Sequence, residues 1–200
     1  MRQVTKEEPS YFTIAKSKVK LPKTKGAWED EHISKIRPQL RSDILLEEQM
    51  LLCAYCEKEI DESPENSNID HFKTRNLFPE LTLEYSNLLV SCNTEGRCSD
   101  FKDTHVKSRD DYEHIVNPAF ENPNDFFDYL PTGEIFAKNE KAQFTIEIFN
   151  LKDKALTQCR LQIVKSLEHL DDLTLDEIYD NFGYEFQSFI KNIYPKLKEL

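Results

Sequence analysis

The sequence predicts an α+β protein in which a metal ion holds a central segment together and helices flank that segment. Two observations carry this prediction. Four cysteines fall within 46 residues, and the last third of the chain repeats apolar residues at helical spacing. A chain of 200 residues can bury a core without disulfides, so we expect one domain, or one core with a modest second lobe.

The composition indicates a soluble, cytosolic protein. Charged residues make up 32% of the chain and hydrophobic residues 38%. No apolar run approaches the roughly 20 residues of a membrane span, and residues 1–12 lack the apolar stretch of a secretory signal. We therefore expect no membrane contact. The formal charge of −11 argues against a protein that coats nucleic acid through bulk positive charge.

Residues 1–28 are predicted to form an extended basic arm. They hold two prolines, few apolar clusters and a run of lysines without an intervening acid, namely Lys16, Lys18, Lys20, Lys23 and Lys25. This run is interpreted either as a contact for a phosphate backbone or as a solvated segment. Further on, Pro38 predicts a break, and residues 42–52 have the apolar spacing of a helix that Ser42 caps.

The chain after the central segment is predicted to begin with a loop and a hairpin. Residues 112–132 contain three prolines with Asn and Asp around them, which is typical of a connecting loop. Residues 134–137 and 144–149 are predicted as two short strands that pair, because apolar and polar residues alternate in the second.

Two helices are predicted to close the chain. Residues 153–170 repeat apolar residues at steps of three and four, as an amphipathic helix does. Thr174 and Glu177 have the spacing of a capping box, and the helix that they begin continues its apolar face to Phe189. We interpret these faces as core or as a docking face for a partner.

The cysteines predict a structural zinc site. Cys53 and Cys56 form a C-x2-C pair that directs two thiolates to one point, and tetrahedral zinc needs two further ligands. Cys92 and Cys98 are predicted to supply them. Their C-x5-C spacing requires an enlarged loop, in which Gly96 is free to adopt a positive φ.

Asp70 and His71 are the second chemical feature, and the cysteines bracket them. At the end of a strand, both side chains can reach the same phosphate. A carboxylate holds a hard cation such as Mg²⁺, and a neutral imidazole accepts a proton from water near pH 7. Together these groups suffice for phosphodiester hydrolysis.

The cysteine pairs, Asp70-His71 and Asn87 resemble the HNH endonuclease motif, a ββα-metal (His-Me) finger stapled by zinc. The resemblance extends over roughly residues 28–165 to HNH nucleases of Septu and retron-associated anti-phage systems. Five stretches carry it: CAYCE (53–57), IDHFK (69–73), PELTLEYSNLLVSC (79–92), NPAFENP (117–123) and TIEIFNL (145–151).

The resemblance implies a role for each motif residue. His71 would be the general base, Asp70 a ligand of the catalytic Mg²⁺ or Mn²⁺, and Asn87 the residue that orients the loop and the base. The four cysteines would hold the structural zinc. Lys73, Arg75 and Lys102 flank the motif, and they are interpreted either as contacts for phosphates of the nucleic acid or as ordinary solvent-exposed charges.

The residue at the third position of the HNH motif differs from the family pattern. Such proteins usually place His or Asn directly after the last cysteine, where this chain has Ser99. The second ligand of the catalytic ion is therefore open. The candidates, in order of preference, are Asp100, Ser99, Asp103 and His105.

By resemblance, the chain divides into a basic arm (1–28), an HNH core (29–110) and a hairpin with helices for partner docking (111–200). The implied activity is metal-dependent cleavage of nucleic acid, with DNA favoured and RNA the alternative, as the effector of an anti-phage system. The implied partners are an ABC/SMC-like ATPase and, in a retron, a reverse transcriptase with its RNA and DNA. Two alternatives stay open: a zinc-stabilised binding module, and a degenerate nuclease that acts as an adaptor.

Overall fold

A computed structural model describes residues 1–168, 170 and 173–198 of the chain. It confirms the predicted α+β class. The described residues form two separate antiparallel sheets of two strands each, surrounded by helices. Within this part of the chain, no helix combines the length and the apolar character that crossing a membrane requires.

The α-helices, numbered along the chain, are α1 (Ser10–Ser17), α2 (Glu31–Ser34), α3 (Arg37–Asp43), α4 (Cys98–His105), α5 (Glu140–Ile148), α6 (Lys154–Leu167), α7 (Leu175–Phe182) and α8 (Gln187–Leu197). The strands are β1 (Ser67–His71), β2 (Leu88–Cys92), β3 (Phe127–Tyr129) and β4 (Ile135–Ala137). Short 3₁₀ turns lie at Lys25–Glu29, Pro79–Leu81, Tyr85–Asn87, Asp110–His114 and Pro123–Asp125.

The central sheet pairs β1 with β2, and α4 follows β2 and packs against it. Ser67 lies opposite Cys92 at one end of the pair, and His71 lies opposite Leu88 at the other. All five residues of β2 are buried, so this strand runs through the core. The sheet therefore carries a cysteine at one end and the Asp70-His71 pair near the other.

The amino-terminal segment is not the extended arm that the sequence predicts. Residues 10–17 form α1, and Val4, Phe12 and Ala15 are buried in the core. The Val4 amide donates to the Pro118 carbonyl (2.8 Å), which ties this segment to the second half of the chain. Isolated apolar residues at helical spacing are enough to anchor the segment, because the rest of the domain supplies the surface on which they pack.

The helix predicted for residues 42–52 is displaced. Helix α3 begins at Arg37, with Pro38 in its first turn, and continues through a π-helical turn at Ile44–Glu48. Ser42 therefore lies inside the helix and does not cap it. Proline ends a helix only when it lies beyond the first turn, where its missing N–H would be needed.

The strand predicted for residues 144–149 is wrong, because this stretch lies in α5 and at its carboxyl end. The side chain of Asn139 caps α5 by accepting from the Ala142 amide (2.9 Å). The buried residues are Ala142, Thr145, Ile146, Ile148 and Phe149, and the burial of Thr145 together with Phe149 follows helical and not alternating spacing. The hairpin exists, but β4 pairs with β3 from the predicted loop. A short apolar run fits both the helical and the strand period, and here the Asn139 cap favours the helix.

The predicted carboxyl-terminal helices are largely confirmed. Asp153 caps α6, which ends three residues before the predicted end; residue 169 lies outside the described residues. The capping box of Thr174 and Glu177 is present at the start of α7. The predicted second helix is in fact two, because the chain turns at Gly183, whose φ is +71°, before α8 begins.

Candidate functional site

The four cysteines converge on one point. All four are buried, and their sulfur atoms lie within 4.8 Å of one another. The sulfurs of Cys53 and Cys98 are 3.8 Å apart. A zinc–sulfur bond of about 2.3 Å in a tetrahedron implies a sulfur–sulfur distance of about 3.8 Å. The cluster therefore has the donor type, number and spacing that tetrahedral zinc requires.

Backbone geometry directs these thiols inward. The Cys53 amide donates to the Lys58 carbonyl (2.9 Å), and this hydrogen bond closes the turn after Cys53. Cys92 is the last residue of β2, and its amide is directed at the Cys53 sulfur (3.3 Å). The enlarged second loop turns at Gly96, whose φ is +75°, as the sequence predicts. Cys98 then begins α4. The cluster thus joins a turn, a strand and a helix.

The electrostatics of the cluster also favour a cation. Hydrogen bonds from the other three cysteines hold the pKa of the Cys92 thiol well below its ordinary range. Burial, together with the neighbouring sulfurs, raises the pKa of Cys98 well above its ordinary range. A thiolate in an apolar interior is costly without a compensating positive charge. A bound metal ion supplies that charge and lets all four sulfurs act as thiolates.

Asp70 and His71 lie at the end of β1 and line one open cavity of about 400 Å³. The same cavity is lined by Asp103 of α4 and by Arg75 and Lys25. The structure therefore brings the predicted base and the predicted metal ligand to a common space. It also adds a second carboxylate and three cations to that space, since Lys107 lines it as well.

The imidazole of His71 is fixed in one tautomer. Its Nε2 lies 2.9 Å from the Thr82 carbonyl oxygen, which only accepts hydrogen bonds, so Nε2 carries the hydrogen. The ring packs edge-on against Trp28, at a centroid distance of 4.6 Å. Burial, only partly opposed by the bond to Thr82, lowers the pKa of His71 to about 4. The imidazole is therefore neutral at pH 7, and its lone pair lies on Nδ1.

Both oxygens of Asp70 have partners inside the protein. Tyr55, between the first two cysteines, donates its hydroxyl to Oδ2, and Lys102 donates to Oδ1 (3.1 Å). Each carboxylate oxygen accepts more than one hydrogen bond, so a second lone pair remains on each. These two contacts fix the plane of the Asp70 carboxylate.

Lys102 does not occupy the position that the sequence predicts. Its side chain is 0% exposed, and its ammonium contacts Asp70, Asp103 (2.8 Å) and the carbonyls of His71 (2.9 Å) and Phe72 (3.1 Å). Burial alone would lower the Lys102 pKa, but the two carboxylates outweigh it and the pKa is raised. Lys102 is therefore a buried cation that holds the acidic residues, and it does not reach a phosphate at the surface.

Asn87 holds the loop that follows His71. Its side-chain oxygen accepts from the Lys73 amide (2.7 Å), and its side-chain nitrogen donates to the Lys73 carbonyl (3.0 Å). The Asn87 carbonyl also accepts from the Phe72 amide (2.9 Å). These contacts position the chain directly after His71.

Among the four candidates for a second ligand, only Asp103 lines the cavity with Asp70. Asp100, the first in order, accepts from the Gly96 amide (2.8 Å) and lies at the start of α4. Ser99 is buried, with its amide directed at Ser91 (3.3 Å), and His105 is exposed and stacks on Phe101. Burial, and then the negative charge of Asp70, raises the pKa of Asp103. The geometry favours Asp103.

The remaining predicted residues lie beside the cavity. Arg75 pairs with Glu29 (3.3 Å) and lines the cavity, while the Lys73 ammonium lies over the Phe78 ring. Sequence reasoning missed the bond from Tyr55 to Asp70 and the place of Lys25 in the cavity lining. The position of Tyr55 within the C-x2-C pair is the one sequence signal for its contact with Asp70.

Taken together, fold and site define a small α+β protein with four converging cysteines that could bind a metal ion. No family model matches the chain. The Septu protein PtuB of Bacillus thuringiensis is 30% identical to it over 144 residues, which are 70% of this chain and 51% of that protein. This similarity confirms the predicted resemblance to the Septu type. It spans about half the length of that relative.

Proposed function

We propose that this chain is a metal-dependent HNH endonuclease that hydrolyses phosphodiester bonds, with DNA as the favoured substrate and RNA as the alternative. One observation carries the proposal. A neutral His71, whose Nε2 is committed to a carbonyl, lines the same open cavity as Asp70 and Asp103. The order β1, β2, α4, closed at one end by the cysteines, supports an assignment to the ββα-metal class.

In the proposed reaction, His71 is the general base. Its Nδ1 accepts a proton from water while the water oxygen forms a bond to phosphorus and the bond to the leaving oxygen breaks. The hydrogen bond to Thr82 keeps the lone pair on Nδ1, and the contact with Trp28 restricts rotation of the ring. Asn87 contributes by fixing the loop after His71.

Asp70 and Asp103 would hold the catalytic ion. Mg²⁺ and Mn²⁺ prefer oxygen ligands, and Mg²⁺ keeps several waters, so one or two carboxylates suffice. When bound, the ion neutralises charge that develops on the phosphate and on the leaving oxygen. Lys102 pairs with both carboxylates and holds them in place. The four cysteines would hold a separate structural zinc.

The resemblance to PtuB supports a role in anti-phage defence. Within that proposal, an ABC/SMC-like ATPase of the same system is the partner, with a retron reverse transcriptase and its RNA and DNA as a further one. The net charge of −11 supports delivery to the substrate by a partner, because it disfavours indiscriminate binding to nucleic acid.

The test is a cleavage assay on the purified chain, with and without the proposed ATPase partner. Plasmid DNA, single-stranded DNA and total RNA are incubated with Mg²⁺ or Mn²⁺. We expect His71→Ala to reduce cleavage at least about 100-fold, because it removes the base. His114→Ala is the matched control, since His114 is exposed and lies outside the cavity. Equal cleavage by His71→Ala and the unaltered protein would reject the proposal.

A zinc-stabilised binding module, or a degenerate nuclease acting as an adaptor, is the second candidate. It is favoured by the partners that Asp70 already has, Tyr55 and Lys102, and by Ser99 at the position where the family usually has a ligand. It predicts that the folded, zinc-loaded chain binds its partner or nucleic acid and that no added metal produces cleavage.

A further inference from the structure

Four exposed lysines project from one short segment between α1 and α2. This lysine segment comprises Lys18, Lys20, Lys23 and Lys25, all of which are exposed. None of their ammonium groups has an ion-pair or hydrogen-bond partner among the described residues. Lys16, by contrast, pairs with Glu8 (2.7 Å) and is excluded from the segment. These four cations form a local excess of positive charge in a chain whose net charge is −11.

The backbone of the lysine segment is held at both ends. Val19 is 8% exposed at its start, and Ala27 and Trp28 are buried just beyond its end. The Thr24 hydroxyl donates to the Leu21 carbonyl (2.9 Å) within it. Anchoring at both ends lowers the conformational entropy that the segment would lose on binding a ligand.

The lysine segment leads to the Asp70-His71 cavity. Lys25 lines that cavity, and Arg75 donates to the Lys25 carbonyl (3.4 Å), which joins the end of the segment to the loop after β1. Lys107 is a third cation of the cavity lining. The carboxylates of Asp70 and Asp103 line the same cavity, so it combines cations that suit phosphate with acids that suit a metal ion.

We propose that the lysine segment binds the phosphate backbone of the nucleic acid and delivers one strand to His71. This inference rests on the proposed nuclease function and names the surface through which that function takes its substrate. Lysine side chains neutralise phosphates and release counterions, so the binding that they provide depends on salt in a predictable way. The local positive charge explains how an acidic chain approaches an anionic polymer at this one face.

The test compares two variants with the same change of charge. In one, the four lysines of the segment are replaced by Gln. In the control, four exposed lysines of the other half are replaced by Gln: Lys152, Lys154, Lys165 and Lys191. Both sets carry His71→Ala so that the probe stays intact. Fluorescein-labelled duplex DNA, single-stranded DNA and RNA of one sequence are titrated by anisotropy between 50 and 300 mM KCl.

We expect the slope of log K against log salt to become shallower by about 3.6 for duplex DNA, or about 2.8 for a single strand, if all four lysines contact phosphates. The control variant should keep the original slope. The probe that shows the change identifies the form of nucleic acid bound. In the background with His71 intact, the segment variant should show a raised KM with little change in kcat.

An unchanged slope in the segment variant overturns the inference, and so does an equal change in the control, which would indicate bulk charge alone. A segment variant that binds nucleic acid normally but loses an acidic protein partner overturns it as well. The two proposals fail separately. If the protein cleaves nucleic acid but the salt slope is unchanged, only the proposal for the lysine segment is rejected. If the slope changes but no cleavage is found, only the proposed nuclease function is rejected. Circular dichroism confirms that both variants are folded.

Discussion

The cysteine cluster and the Asp70-His71 cavity share one pair of strands but differ in completeness. The cluster is closed, since four sulfurs lie within 4.8 Å of one another in the buried interior. The cavity is open, and the described residues provide no group of three metal-ligating side chains there. Structural metal sites carry a full ligand set, whereas catalytic sites leave positions for water and substrate. The contrast supports a division of labour between the two ends of the sheet.

The two regions are also physically linked. Ser67 and His71 occupy opposite ends of β1, and four strand steps of about 3.4 Å separate them by about 14 Å. Tyr55 links the two regions, because it belongs to the first cysteine turn, stacks on Phe149 and donates to Asp70. The fold of the closed site therefore determines the position of an acid in the open one.

The largest effect on stability is expected from removing one ligand of the cysteine cluster. Cys92→Ser removes one of four thiolates, and structural zinc contributes on the order of 10 kcal/mol to small domains. We expect the variant to lose zinc and to unfold around β2, as measured by elemental analysis and circular dichroism. Cys159→Ser is the control, because Cys159 lies outside the cluster. A zinc-free Cys92→Ser variant that melts like the unaltered protein would remove the structural role.

Asp70→Asn should abolish the function of the Asp70-His71 cavity and leave zinc bound to the cysteine cluster. We expect cleavage to fall at least about 100-fold through loss of a metal ligand and its charge. Because Lys102 then keeps only Asp103 as a charged partner in the interior, we also expect destabilisation of about 3–5 kcal/mol. Zinc content and denaturant unfolding are measured together with cleavage. Full cleavage in a folded Asp70→Asn protein contradicts the assignment.

Asp103→Asn and Asp100→Asn distinguish the two acids of α4. Removing a charged ligand should weaken Mn²⁺ binding by about 100-fold in Asp103→Asn. Asp100 accepts from the Gly96 amide and lies outside the cavity lining, so Asp100→Asn should bind Mn²⁺ as before. Calorimetric titration with Mn²⁺ gives both affinities. The reverse result would restore Asp100 as the second ligand.

The smallest effect is expected from removing the hydrogen bond that links the cysteine cluster to the Asp70-His71 cavity. Tyr55→Phe keeps the ring that stacks on Phe149 and removes only the hydrogen bond to Asp70. We expect Mn²⁺ affinity to fall by about tenfold, as for other groups that orient a ligand, while zinc is retained. Tyr194→Phe, which loses a comparable bond to the Leu173 carbonyl, is the control. Equal Mn²⁺ affinity in the two variants would show that Tyr55 only packs.

Both sites could be predicted in part from the sequence, because each contains a short local pattern. The C-x2-C spacing and the positive φ at Gly96 follow from residue type, and Asp70 and His71 are adjacent in the chain. The destination of Lys102 could not be predicted, since exposed and buried lysines look alike in sequence. Its burial depends on two carboxylates and two carbonyls that only the fold brings together.

The same distinction explains the errors in secondary structure. The capping box at Thr174 is a local signal, and it is confirmed. Residues 144–149 fit a strand and a helix equally well, and the Asn139 cap outside that window decides for the helix. Residues 1–28 lack a strong periodic pattern, yet Phe12 and Val4 are buried because the rest of the domain provides a surface for them.

The most direct test of the division of labour is to remove and restore metal ions selectively. The purified protein is dialysed against EDTA, its zinc content is measured, and nucleic acid cleavage is followed as Mn²⁺ is added back. We predict that zinc stays bound at one ion per chain, that cleavage is lost, and that Mn²⁺ restores it in the unaltered protein but not in His71→Ala. Undiminished cleavage by the dialysed, zinc-loaded protein would contradict the account.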